Sequence, residues 1–329
     1  MATWQVNSRN GIWLPQIDWW LDAHRPAPRS VVSHAHADHV ARHGQSLCTP
    51  ATAELIRTRD PYFKGKPREI PFDQPVSLTP DATLTLVPAG HVLGSAQALL
   101  EHSEFGRLLY TGDFKLRPSA TAERCATPQA DTLIMETTFA QPRYVFPSRE
   151  EVFGQIVAFC RETLGADEIP VLLGYSLGRS QEILAGLSQS NLPIMLHPQV
   201  EKVTRTYERF GYKFPPYTSF APMFAAGHVI VTPAQALKGA LFDSMAHLRT
   251  AVVTGWAIDQ NVRFRYGCDA AFPLSDHAGF DDLLKFVEKV SPRRVFTVHG
   301  FAEEFAAVLR SRGIEAWALG RSNQLELTL

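Results

Sequence analysis

Four side chains of metal-ligand type fall within six residues of the run Ser33-His34-Ala35-His36-Ala37-Asp38-His39. His34 and His36 are two apart, behind a β-branched approach at 29–32, so in an extended segment both imidazoles leave on one face. Asp38 and His39 follow where the chain turns toward a helix, and there they aim elsewhere. That geometry suits two ions better than one, because a single tetrahedral ion would have to fold all four groups onto itself. A lone H-x-H is ordinarily a polar loop with incidental histidines, whereas H-x-H-x-D-H after a strand is a metal signature.

The same residue types recur at the ends of apolar runs. Ile17-Asp-Trp-Trp-Leu closes on Asp22, and a strand-like run at 83–87 delivers His91 between Gly90 and Gly94. Flanking glycines at a strand end let the backbone approach a ligand and release the imidazole toward it. Apolar strands also end on Asp113 (after Thr111-Gly112), on Glu136 and on His299-Gly300, while Ser275-Asp276-His277 precedes an amphipathic helix at 280–290. Strand ends converging on one sheet edge are where α/β proteins build sites. A His/carboxylate set without Cys suits zinc or manganese. Two such ions about 3.5–4 Å apart lower the pKa of a bridging water and stabilise both oxygens of an in-line phosphoryl displacement. Phosphodiester hydrolysis then needs only an acid for the leaving oxygen.

The elements that must position these groups follow from periodicity. Short strands with a turn at Asn10-Gly11 lead to residue 21, a helix covers 52–57, and strands cover 75–78 and 83–87. From 141 to 267 the rhythm becomes βαβ, with helices at 149–164 and near 179–187 and strands at 170–173, 194–196, 228–232 and 250–254. Candidate site residues lie on both sides of that segment. It is therefore expected as an insertion, 141–267, in a first domain built from 1–140 and 268–329. Arg179 stands where a glycine meets a helix start, so N–H groups, helix dipole and guanidinium converge on an anion, and Ser275 is the second phosphate candidate. The plainer reading of Arg179 is an ion pair with Glu182 or another acid.

Composition sets the remaining bounds. A chain of 329 residues with 45% hydrophobic and 20% charged residues folds around a sizeable core, and a net charge of −1 leaves any nucleic-acid contact to a local patch. Cys48, Cys125, Cys160 and Cys268 show no paired spacing, as in a reduced cytoplasmic protein. No signal-peptide pattern opens the sequence, and no apolar run reaches membrane-spanning length.

These motifs resemble, over nearly the whole chain, the metallo-β-lactamase-fold nucleases of the β-CASP group. Asp22 matches the first family motif, His34, His36, Asp38 and His39 the second, His91 the third and Asp113 the fourth. Glu136, His277 and His299 match the three β-CASP motifs. The resemblance implies an αβ/βα metallo-β-lactamase sandwich with an inserted α/β β-CASP-type domain. It implies one ion on His34, His36 and His91, another on Asp38, His39 and His299, Asp113 bridging and Asp22 orienting ligands. Asp38 also counts among the catalytic residues, and Glu136 with His277 would handle the scissile phosphate and protonate the leaving group. The compact form is most similar to bacterial exonucleases associated with a DNA ligase. That implies a metal-bridged hydroxide acting on DNA from the 5′ end in repair, alongside a ligase and helicase. His at position 299, as in RNA-acting members, makes RNA processing the alternative.

A rival from another class reads Gly174-Tyr-Ser176-Leu-Gly178 as the nucleophile elbow of a serine hydrolase. Asp243 or Asp259 and His277 or His299 follow in the required order, but no oxyanion His-Gly-Gly run precedes it.

Overall fold

The computed structural model of the chain describes residues 2–243 and 245–320. They form two compact units, one comprising residues up to Tyr144 and from His277 on, the other Val145–Asp276.

The first unit is built on two sheets. Among the described residues one has six strands in sequence order: Asn7–Ser8, Ile12–Leu14, Trp19–Leu21, Arg29–Val31, Gln45–Cys48 and Arg68–Glu69. The other orders seven strands as Glu315–Ala318, Arg294–Val298, Thr132–Glu136, Gly106–Tyr110, Ala96–His102, Ala82–Pro88 and Val76–Thr79. Period-two alternation explains how both faces of this second sheet are buried. Leu100, Leu108, Tyr110 and Ile134 enter one core with Leu14, Trp19, Leu21 and Leu47 of the first sheet. The intervening Leu99, Leu109, Leu133 and Met135 enter another core with Leu283, Phe286 and Val290 of helix Phe280–Val290 and Phe305 and Leu309 of helix Ala302–Ser311. Helix Pro50–Arg59 follows the fifth strand of the first sheet, with Pro50 in its first turn and the Thr49 hydroxyl accepting from Thr52 N–H. Helix, two sheets and helices give the αβ/βα sandwich of the α/β metallo-β-lactamase fold.

The second unit carries a parallel sheet in the order Thr218–Ser219, Ile194–Leu196, Val229–Thr232, Ile169–Leu173, Leu248–Val253 and Ala270–Phe272. Helix Arg149–Gly165, capped by Ser148, packs Val152, Ile156 and Phe159 against Leu172 and Ala251 of that sheet. Among the described residues no helix is long and apolar enough to cross a membrane.

Several strands escape the sequence pattern, among them Ala96–His102, Glu315–Ala318 and the short Gln45–Cys48, Arg68–Glu69, Thr218–Ser219 and Ala270–Phe272. Ala96–His102 reads Ala-Gln-Ala-Leu-Leu-Glu-His, a composition that favours helix. Its place between two strands, paired on both sides from Ala98 to His102, overrides that preference. Glu315–Ala318 is too short for its alternation to stand out.

Candidate metal centre

Strand ends of the first unit bring the ligand-type residues together. His34 and His36 follow strand Arg29–Val31, Asp38 and His39 lie on the 3₁₀ turn Ala37–His39, His91 follows Ala82–Pro88 and Asp113 follows Gly106–Tyr110. His34 Nε2 and His91 Nε2 face His36 Nδ1 at 3.0 and 3.1 Å. Asp113 Oδ2 lies 3.5 Å from His34 Nε2, 3.8 Å from His91 Nε2 and 3.5 Å from His39 Nε2. One carboxylate oxygen thus stands between two sets of imidazole nitrogens.

The donor set fits a cation. Two nitrogens about 2.0–2.1 Å from a tetrahedral zinc are roughly 3.3 Å apart, close to the spacings here. One ligand atom from each of His34, His36, His91 and Asp113 forms a group within 4.8 Å, as do those of Asp22, His34 and His39. Asp38 lies 3.6 Å from His39 Nε2 and the His299 ring centroid 6.0 Å from that of His39, but neither joins a group of three ligand atoms within 4.8 Å among the described residues. Both line a cavity of about 520 Å³ with Asp22, His39, Tyr110 and Gly300. His299 has φ +62°, a left-handed conformation that costs a non-glycine residue energy and turns this side chain into the cavity's lining.

Electrostatics match a site made for positive charge. Burial, then the neighbouring charges of His39, His36 and His91, hold His34 well below the usual imidazole range, so it stays neutral and able to ligate. Burial would also depress His39, but Asp113 and Asp22 outweigh it and lift its pKa to about 10. Burial raises Asp113 to about 7 against the opposing pull of His39 and His277. A buried carboxyl held this high gains most from an adjacent cation.

Glu136 and His277 form a second group beside Asp113. His277 Nδ1 lies 2.7 Å from Glu136 Oε1, and the carboxylate also accepts Phe114 N–H and Thr138 N–H, both at 3.1 Å. Burial pushes Glu136 up, but the His277 charge and these hydrogen bonds bring it down to about 2. The two histidines a serine triad would recruit thus stand elsewhere: His277 on Glu136 and His299 beside His39.

Gly300 follows His299 at φ +52°, and a Cβ there would sit 2.5 Å from the Thr137 carbonyl oxygen. Gly300→Ala is expected to destabilise the protein by about 1–3 kcal/mol, read as a lower urea midpoint.

In the second unit Arg179, at the start of helix Arg179–Gly186, is 3% exposed and its Nη2 pairs with Asp276. Its Nε and Nη1 have no hydrogen-bond partner among the described residues. Ser275 is buried beside Asp276. Arg179→Ala breaks a buried ion pair and is expected to cost about 3–5 kcal/mol in thermal or urea unfolding, with Asp276→Asn in the same background recovering part of it.

Two residues beside the centre carry no weight in the sequence reading, Ser33 and Tyr110. Both donate to Asp22 Oδ2, at 2.6 and 2.9 Å. A hydroxyl directly before H-x-H, and a tyrosine at the buried end of the strand that leads to Asp113, are the signals that point to them.

Comparison with known proteins agrees with this geometry. A family model described as a Zn-dependent metallo-hydrolase RNA specificity domain matches residues 270–319. The chain is 56% identical over 326 residues to a probable DNA ligase of Opitutus terrae, covering 98% of this chain and 32% of that protein. It is 27% identical to the 5′ exonuclease Apollo of Rattus norvegicus, covering 88% of this chain and 55% of that one. A solved structure, a protein of unknown function from Enterococcus faecalis, shares the fold with a TM-score of 0.62 at 13% identity, covering 89% of this chain and 80% of that one. On these likenesses the chain resembles the metallo-β-lactamase-fold nucleases of the β-CASP group. It spans about a third of the ligase relative and about half of Apollo.

Proposed function

We propose that this chain is a dinuclear metal-dependent phosphodiesterase that shortens DNA from the 5′ end in cytoplasmic repair, working alongside a DNA ligase. The observation that carries the reading is Asp113 Oδ2 placed between His34 and His91 on one side and His39 on the other, 3.5–3.8 Å from each nitrogen. His34, His36 and His91 would hold one ion, Asp38, His39 and His299 the other, with Asp113 shared. Bound there, two divalent ions, zinc or manganese, would make a water acidic enough to ionise near neutral pH and would offset the phosphodiester charge. Asp22 orients His39 through its Nδ1, and Glu136 fixes the His277 ring so that it can protonate the leaving oxygen.

Residues 141–267 are proposed as the inserted β-CASP-type domain within a metallo-β-lactamase domain of 1–140 and 268–329. Arg179, with two nitrogens that have no partner among the described residues, and Ser275 are proposed to hold substrate phosphate. DNA and a 5′ end are favoured by the likeness to Apollo, and the ligase partner by the match to the Opitutus protein. RNA is the second reading, favoured by the family model over 270–319, which holds both His277 and His299.

Digestion of single- and double-stranded DNA and RNA, end-labelled on either terminus, with and without chelator, tests the proposal. Chelator-sensitive release of nucleotides from 5′ ends of DNA is expected. Preferential RNA cleavage would move the assignment to the second reading. Cleavage indifferent to chelator, or from 3′ ends, would overturn it.

A further inference from the structure

The hydrogen bonds around Asp22 have a direction that can be worked out donor by donor. A carboxylate only accepts, so the 2.8 Å contact with His39 Nδ1 places the proton on His39 Nδ1 and leaves Nε2 facing Asp113. Ser33 Oγ has one proton and two neighbours, Asp22 Oδ2 at 2.6 Å and His34 Nδ1 at 2.9 Å. The shorter contact, to the charged acceptor, takes that proton. Ser33 Oγ must then accept from His34, which fixes the proton on His34 Nδ1 and leaves Nε2 facing Asp113 as well. Tyr110 Oη gives Asp22 Oδ2 a further donor at 2.9 Å, and Ser33 N–H occupies Oδ1 at 2.7 Å. Asp22, Ser33, His34, His39 and Tyr110 are all buried, so water offers little competition for these bonds.

We propose that Ser33 is a positioning residue that extends the reach of Asp22 from His39 to His34, so that one carboxylate sets the ring tautomer of a ligand in each half of the metal centre, with Tyr110 holding that carboxylate in place. The two halves are thereby prepared together, before any ion arrives. With Nδ1 engaged in both halves, each imidazole aims its Nε2 at Asp113. The hydroxyl before H-x-H then serves the metal centre and not the strand alone. This inference rests on the dinuclear reading above.

Zinc affinity measured by competition with a chromogenic chelator, together with ¹⁵N NMR of the imidazoles in the metal-free protein, tests it. Wild type is expected to take up two ions and to show His34 and His39 protonated at Nδ1. Ser33→Ala should weaken the half that contains His34, His36 and His91 by about 10–100-fold, the usual effect of losing an outer partner of a ligand. It should also release His34 into a mixture of tautomers while His39 keeps its own. Tyr110→Phe removes one oxygen and no volume from the core, and should weaken zinc binding in the half that contains His39. Ser33→Ala with wild-type affinity and an unchanged His34 spectrum would overturn the relay. So would equal loss in both halves with both tautomers intact, which would mark Ser33 as a general packing residue. A wild type that binds no zinc would sink the dinuclear reading itself, a result distinguishable from either.

Discussion

Asp113→Ala is expected to reduce bound metal from two ions to one or none and to remove hydrolysis to background. Asp113 Oδ2 approaches nitrogens of both histidine sets, so its loss takes a ligand from each position at once. The remaining donors on one side are three imidazoles, and on the other His39 and His299 with Asp38, whose side chain is 79% exposed. The loss in affinity should therefore exceed the roughly 10–100-fold typical of losing an outer-shell partner. Asp113 is also the main reason that His39 is lifted to about 10. Without it the paired charge is gone and the histidines crowd one another uncompensated. Asp113→Asn, which keeps the shape and one oxygen but no charge, should fall between wild type and Ala in metal content. Elemental analysis of dialysed protein measures the stoichiometry. Two ions retained in Asp113→Ala would show that this carboxylate does not bridge.

Much of this was legible because metal chemistry leaves local marks. His34, His36, Asp38 and His39 stand within six residues, and periodicity alone puts the first pair on one face. The ends of strands at Asp113, Glu136 and His299 were visible as apolar runs stopping on a polar residue. What stayed hidden depends on long-range pairing. No spacing or periodicity tells that Tyr110 Oη meets Asp22 across 88 positions, and only the family motifs couple His277 to Glu136 across 141. Strand Ala96–His102 was hidden for the same reason, since its helix-favouring residues become sheet only through the neighbours on either side. The left-handed backbone of His299 is also set by tertiary context, because no local turn residue other than Gly300 announces it. Arg179 shows the converse case. The anion-binding features at its helix start were readable, but its partner Asp276 lies 97 positions away, and burial of the pair emerges only on folding.

His277→Ala is expected to keep its metal and lose about 10²–10⁴ in rate, the range for removing a general acid or base. The argument begins with Glu136. Two backbone N–H groups and His277 hold its buried carboxylate ionised, with a pKa near 2, so it accepts and never donates at neutral pH. His277 must therefore keep its proton on Nδ1, which makes Nε2 the nitrogen that trades a proton with the substrate. The ring stacks at an angle against His91, centroids 4.6 Å apart, which places that exchange beside the ligand set. A proton delivered there matters only when the departing oxygen is basic, as a sugar alkoxide is. A bis-nitrophenyl phosphodiester, whose leaving group is already acidic, should show a much smaller ratio of wild-type to variant rate than DNA does. Glu136→Gln should follow the same pattern more weakly, since the ring persists but loses its fixed tautomer. Equal rate losses on both substrates would remove the acid role. A variant that arrives stripped of metal would instead make His277 a ligand, in keeping with its position near Asp113 and Glu136.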